Sequence, residues 1–181
     1  PDGSYLEGIF SDQTLIHGKM LLAGIGAVYE GPWKDKKAHG KGEYTVPCGY
    51  KLKVIMNKGC IEKVESNEKV VTIVSNNPVH GKKEGFRKVE YSDGSIYEGM
   101  MQVINKSQSN PNGEYIRQGL GKLTIEKYGY KFDGAWHKDF PLIGEARLLN
   151  GSHYTGNFWA GLRHGFGNYF HSSKKTRLVY H

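Results

Sequence analysis

Three of the eight histidines, the two cysteines and one glycine-rich run are the residues whose types and spacing raise the question of chemistry. The run is "HGKGE", His39 to Glu43. Glycines at that density can cradle a phosphate, but only in a turn that leads into a helix N-terminus. Here they continue an alternating segment, and no helical period follows. His39 and His164 hold the same place in two similar segments, with His17 close to that register. On adjacent hairpins such residues would lie two strands apart, roughly 10 Å at about 4.8 Å per strand. A zinc–nitrogen bond is only about 2.0 Å. The histidines therefore read as turn residues that cannot share an ion. No nucleophile sits on a strained elbow beside a matched base. Cys48 and Cys60 are too few for a disulfide framework and read as reduced thiols. The expectation is no metal, no cofactor and no catalysis in this stretch.

What must position these residues is an array of strands. The chain has 181 residues, with 25 glycines and 12 tyrosines spread along it rather than in collagen triplets. A large apolar residue, a glycine and a second large apolar residue recur at alternate positions. Tyr29-Gly31-Trp33 is matched by Leu6-Gly8-Phe10, Tyr97-Gly99-Met101, Phe132-Gly134-Trp136 and Tyr154-Gly156-Phe158, and loosely by Leu52-Val54-Met56. A second segment follows each first: Gly40-Gly42-Tyr44, Gly18-Met20-Leu22, Gly119-Gly121-Leu123, Gly144-Ala146-Leu148 and Gly165-Gly167-Tyr169. In the third unit the expected match is Gly85-Arg87-Val89-Tyr91, with His80-Gly81 as the alternative. Period two means β-strand, so each unit reads as a β-hairpin whose glycines leave room for rings on the same face. One hairpin cannot bury its own apolar face; stacked hairpins can.

Six units start near 6, 29, 52, 97, 132 and 154, in one domain. "YEGPWKDKKAHGKGEY", "YTGNFWAGLRHGFGNYF" and "FDGAWHKD" resemble MORN repeats, with the pattern Y-x-G-x-W/F-x-x-G-x-x-H-G-x-G. The resemblance spans about residues 3 to 172 and is strongest in the second and sixth units. It implies an all-β fold, an elongated, twisted single-layer antiparallel sheet of about six stacked β-hairpins. It also implies a non-catalytic protein-interaction or scaffold module, often self-associating, at the cytoskeleton, a cilium or a membrane. The alternative it leaves open is a targeting or regulatory domain of a larger enzyme, of lysine methyltransferase or phosphoinositide kinase type. The opening "PDGS" lacks an initiator methionine, in keeping with a piece of a longer protein. No apolar run is long enough for a membrane-spanning helix and no signal peptide is visible, so the expected location is cytoplasmic.

Three surfaces compete as binding sites. The aromatic face carries Tyr29, Trp33, Tyr44, Tyr97, Phe132, Trp136, Tyr154 and Phe158; it is either plain core or an open groove for a partner helix or peptide. The turn edge carries two expected insertions, about 60–84 and 102–116, because the unit spacing of 22 or 23 lengthens there. The first could form a small hairpin of its own, Ile61–Val64 against Val70–Val74; the second reads as a mobile polar loop. The outer face is polar in the second unit, yet Trp159, Phe166 and Phe170 point outward in the last, as a dimer patch or one covered by the tail "KKTRLVYH". The net charge of +7 favours anionic partners. Lys34, Lys36, Lys37, Lys41, Lys82, Lys83, Arg87 and Lys88, with Lys174, Lys175 and Arg177, could meet anionic lipid. Nucleic acid is disfavoured, since no aromatic-basic reading motif is present.

Overall fold

A computed structural model describes the backbone of residues 5–22, 27–172 and 176–180. The chain divides into two compact units, residues 1–70 and 71–181. The first holds β1 (Tyr5–Ser11), β2 (Thr14–Leu22), β3 (Ala27–Lys34), the two-residue β4 (Lys37–Ala38), β5 (Gly40–Val46), β6 (Tyr50–Asn57) and β7 (Cys60–Lys69). The second holds β8 (Ile73–Pro78), β9 (Phe86–Tyr91), β10 (Ile96–Ile104), β11 (Glu114–Ile125), β12 (Tyr130–His137), β13 (Phe140–Arg147), β14 (His153–Trp159), β15 (Leu162–His171) and β16 (Thr176–Tyr180). Each unit is one antiparallel sheet in which neighbours in sequence are neighbours in space, and neither sheet closes on itself among the described residues.

The register explains the glycines. In the second unit Gly99, Gly121, Gly134, Gly144, Gly156 and Gly167 form one row across six strands. The row beside it is Tyr97, Leu123, Phe132, Ala146, Tyr154 and Tyr169, all buried. The Tyr97 ring lies flat over Gly99 and Gly121, the Tyr154 ring over Gly156 and Gly167, and the Phe132 ring over Gly134 and Gly144. An added Cβ at any of these would fall under 3.0 Å from ring or backbone atoms. The tyrosine hydroxyls then donate to backbone carbonyls three residues on, Tyr97 to Met100 at 2.9 Å and Tyr154 to Asn157 at 3.0 Å. In the first unit Tyr29 covers Gly31 and Gly42 in the same way. The third hairpin has Leu52 and Val54 in place of the ring and its glycine, and both are buried; the shorter leucine leaves room for a side chain at 54.

The first glycine of each G-x-G has a different task from the second. Gly40, Gly119 and Gly165 have φ of 82°, 84° and 60°, next to register shifts in β10–β11 and β14–β15. These are bulges that need a left-handed residue. Spacing alone makes both glycines seats for rings; only the second is one. The two-residue hairpin loops Asp12-Gln13, Asp35-Lys36, Lys58-Gly59, Lys138-Asp139 and Ala160-Gly161 all have positive φ at both positions, the mirror-image turn that matches strand twist.

The ring seats give a direct expectation. Gly121→Ala should destabilise the chain by about 1–3 kcal/mol through overpacking against Tyr97. Gly94→Ala is the comparison, because an added Cβ there meets nothing within 4 Å and only its φ of 80° is strained. Urea midpoints that fell equally for both variants would show that the Tyr97 seat carries no special weight.

The stretch 60–84 is not an insertion. Cys60–Lys69 pairs with β6 along its whole length, and Ile73–Pro78 pairs with β9. The separate hairpin of Ile61–Val64 against Val70–Val74 therefore does not form. The spacing of 45 between positions 52 and 97 is two ordinary periods, and a seventh hairpin, β8–β9, fills the second. Gly85-Arg87-Val89-Tyr91 belongs to that hairpin, with His80-Gly81 in its turn. The stretch 102–116 does lengthen a hairpin, but much of it is strand. Gln102, Val103 and Ile104 pair with Ile116, Tyr115 and Glu114, and Ser107 and Asn110 exchange backbone hydrogen bonds at its tip.

Candidate functional site

The aromatic face is core. Tyr29, Tyr44, Tyr97, Phe132, Trp136, Tyr154 and Phe158 are buried, and Trp33 is half-buried. The rings pack edge-to-face in a chain: Tyr97 on Trp136 at 5.4 Å, Trp136 on Phe132 at 5.1 Å, Phe132 on Phe158 at 5.2 Å and Phe158 on Tyr154 at 5.2 Å. The indoles also lock one hairpin to the one before it, Trp136 donating to the Gly121 carbonyl at 3.1 Å and Trp33 to the Gly18 carbonyl at 3.4 Å. These residues leave no open groove. The glycine row lets the rings lie flat and cover their own face, so the lack of a second sheet does not leave it bare.

Burial also sets the acid–base behaviour of this core. Tyr44 is pushed up to about 12 by burial, then by its neighbours Tyr29 and Cys60. Tyr29 and Tyr97 are raised from 10.0 by burial as well, with the Arg117 charge partly opposing the shift at Tyr97. A folded-state value above the unfolded one means the folded chain keeps a proton that the unfolded chain releases. This stability is complete below pH 10.0 and is lost as pH climbs from there toward about 12. Thermal melts should fall across that window, and Tyr44→Phe should flatten the fall. A melting temperature that held level there would contradict the burial of these hydroxyls.

At the heart of the second unit is a pair that the repeat pattern does not announce. Arg117 and Asp139 are both buried, with Nε to Oδ1 at 2.8 Å. The same carboxylate oxygen accepts the Arg117 backbone N–H at 2.8 Å, and the Asp139 N–H donates to the Arg117 carbonyl at 3.0 Å. The guanidinium lies over Trp136 at 4.5 Å and beside the Tyr91 and Tyr97 rings. Its role is packing. Among the described residues no group of three His, Cys, Asp or Glu side chains converges as metal ligands would. His39 is exposed and its N–H donates to the Pro32 carbonyl at 3.0 Å; His17 and His164 are exposed, the latter beside Trp159.

The outer face differs between the two units. One residue beyond the glycine row, the first unit presents Ile9, His17 and Pro32 in register on β1–β3, and Lys41, Ile55 and Lys63 in register on β5–β7. The equivalent line in the second unit is uncharged: Met100, Leu120, Ala135, Ile143, Asn157 and Phe166. Leu120, Ile143 and Phe166 are 69%, 51% and 68% exposed, and Trp159 and Leu142 extend the apolar surface toward the turns. Alternation had found Trp159 and Phe166. It applies equally to Leu120, the middle residue of its own G-x-G, and to Ile143 before Gly144. Phe170, the third residue of that patch, is half-buried and stacks on His153 at 5.1 Å. The tail does not fold over these residues: Thr176–Tyr180 pairs beside β15 as a further strand.

Lys34, Lys36 and Lys37 surround the β3–β4 turn, and Lys41 reaches Glu65 at 3.5 Å. Lys82 and Lys83 are exposed in the β8–β9 turn and Lys88 on β9. Arg87 is committed to Asn76, with Nη2 on its carbonyl at 2.8 Å, and stacks over Tyr115. Lys174 and Lys175, and the Arg177 side chain, lie outside the described residues.

A sheet of hairpins in which four first strands, β3, β10, β12 and β14, seat an aromatic ring on paired glycines defines a stacked-hairpin repeat protein. Residues 29–47 and 154–173 match the model of the MORN repeat, and the chain is a MORN-repeat protein. No curated protein matches it. MORN repeats are in general non-catalytic modules for protein or membrane interaction. Among the described residues no helix is long and apolar enough to cross a membrane.

Proposed function

We propose that this chain is a non-catalytic interaction and scaffold module that presents the outer face of its second unit to another protein chain, at the cytoskeleton, a cilium or a membrane. The observation that carries the reading is the uncharged line of Leu120, Ile143 and Phe166, exposed on a face that is charged in the first unit. Contiguous exposed apolar surface of this kind marks interaction sites. Affinity capture with the wild-type chain and with Phe166→Asp and Leu120→Asp tests it. The variants should stay folded and lose a protein that the wild type retains; identical recovery by all three would overturn it.

Anionic lipid is the second reading, favoured by charge. Residues 71–181 carry 15 Lys and Arg against 9 Asp and Glu, whereas residues 1–70 carry 10 against 9. Each basic residue near a charged bilayer contributes about 1 kcal/mol. Pelleting with vesicles should then require acidic lipid and weaken in Lys82→Glu/Lys83→Glu. Equal pelleting with neutral vesicles would exclude it.

A further inference from the structure

We propose that β1 is a docking edge, which takes up an extended segment of another protein as one more antiparallel strand. That segment carries a lysine opposite Glu7 and, next to it, an apolar residue opposite Leu6. The site lies on the first unit and does not depend on the outer face of the second.

β1 is an end strand of its sheet among the described residues. It pairs with β2 along one side, so about half of its backbone N–H and C=O groups point away from the sheet. All seven of its residues are exposed. Leu6 and Phe10, on the ring face, are 46% and 58% exposed, and Ile9, on the outer face, is 63% exposed. Tyr29 and Tyr97 hold the place of Leu6 on strands that have a neighbour on either side, and both are fully buried. Sheets guard such edges with charge or proline. β7, at the other end of the same sheet, carries Glu62, Lys63, Glu65, Glu68 and Lys69 in ten residues. β1 carries Glu7 alone. A helix bonds its backbone groups internally and cannot satisfy this edge. An extended segment can, and its alternate side chains cover Leu6 and Phe10.

The rest of the chain shows which segment fits. Three first strands set an acid between a ring and a glycine, as Tyr29-Glu30-Gly31, Tyr97-Glu98-Gly99 and Phe132-Asp133-Gly134; β1 has Leu6-Glu7-Gly8. Each of the three acids has a lysine opposite it on the preceding strand: Lys19, Lys88 and Lys122. Lys122 Nζ is 3.0 Å from Asp133. Where the first strand carries the lysine instead, Lys53 on β6, the residue opposite is Glu43. Next to each of the three lysines is an apolar residue facing the ring, Met20 on Tyr29, Val89 on Tyr97 and Leu123 on Phe132. Opposite the glycine stand Gly18, Arg87 and Gly121, so that position sets no requirement. The preceding strands read Lys-Met-Leu-Leu, Lys-Val-Glu-Tyr and Lys-Leu-Thr-Ile. The segment that β1 accepts is therefore lysine, apolar, any residue, apolar, with opposite charges paired across the strands.

The probe is a synthetic peptide copying residues 119–127, which contains Lys122-Leu123-Thr124-Ile125. Added in excess to the full chain, it should slow amide hydrogen exchange in β1 by about tenfold or more and leave β7 unchanged. A peptide with glutamate in place of the lysine should bind about threefold or more weakly. Glu7→Lys should reverse that preference, and Glu7→Gln should abolish it; circular dichroism on both variants separates folding from binding. No slowing in β1 at about millimolar peptide overturns the proposal. So does equal slowing in β7, or a charge preference that neither variant changes. If the chain alone dimerises and Glu7→Lys returns it to monomer, the occupant is a second copy and the proposal fails. It fails equally if the outward amides of β1 already exchange slowly without peptide.

Discussion

Asp139→Ala is expected to lower the stability of the folded chain by about 3–5 kcal/mol, a large part of the roughly 5–15 kcal/mol that holds a domain together. The alanine removes the carboxylate that neutralises Arg117, and both side chains are about 1% exposed. Arg117 cannot shed its proton to escape, because a guanidinium stays charged. It is left surrounded by the Tyr91, Tyr97 and Trp136 rings, which attract a cation but give no hydrogen-bond acceptor equal to a carboxylate. The same mutation frees the Arg117 backbone N–H, bonded to that carboxylate at 2.8 Å. Asp139→Asn keeps an acceptor for the N–H and should lose less. Arg117→Leu/Asp139→Ala, which removes both charges, should recover part of the loss. Urea unfolding of the four chains measures this. A loss under about 1 kcal/mol in Asp139→Ala would mean that water reaches the guanidinium.

Trp136→Ala should cost about 3–5 kcal/mol, and its effect should not stay local. The indole is 2% exposed. It touches Tyr97, Phe132 and the Arg117 guanidinium, and it ties β12 to the Gly121 carbonyl of β11. Alanine leaves a cavity, an unbonded carbonyl and a cation with one face bare. This outcome separates core from groove. A partner-groove residue would lose binding and keep the melting temperature. Trp136→Ala is expected to lower the melting temperature by well over about 6 °C, whether or not a partner is present. Trp136→Phe, which restores most of the volume without the N–H, should fall between. A Trp136→Ala chain that melted like wild type would restore the groove reading.

Most of the architecture could be read from the residues because strand and glycine periods are local. Tyr97, Gly99 and Gly121 announce their register through spacing alone. What escaped the reading had one of three causes. The hairpin β8–β9 lacks both ring and glycine in its first strand, "IVSNNP", so only the doubled spacing from 52 to 97 could have revealed it. The Arg117–Asp139 pair joins residues 22 apart through a bulge, and a bulge shifts the parity on which inward and outward assignments depend. Spacing does not decide between core and groove for the aromatic face, because alternation says which way a ring points but not whether it lies flat enough to cover its neighbours. The outer line was legible in part: the parity that found Phe166 also finds Leu120 and Ile143. Its continuity across six strands appears only once each strand is aligned with the next.

The sequential strand order bears on how such a chain reaches its fold. In both sheets nearly every strand pairs with the strand next to it in the chain, and several hairpins close through only two residues. Most all-β domains must bring distant segments together before any contact repays the entropy of closing the loop, which makes them slow to fold. Here the pairings span short loops, so relative contact order is low for an all-β chain. Nucleation can begin at any hairpin and spread to its neighbours, as in other linear arrays. A MORN sheet of this kind is expected to fold with the speed of a local-contact protein while keeping the backbone of a β-protein.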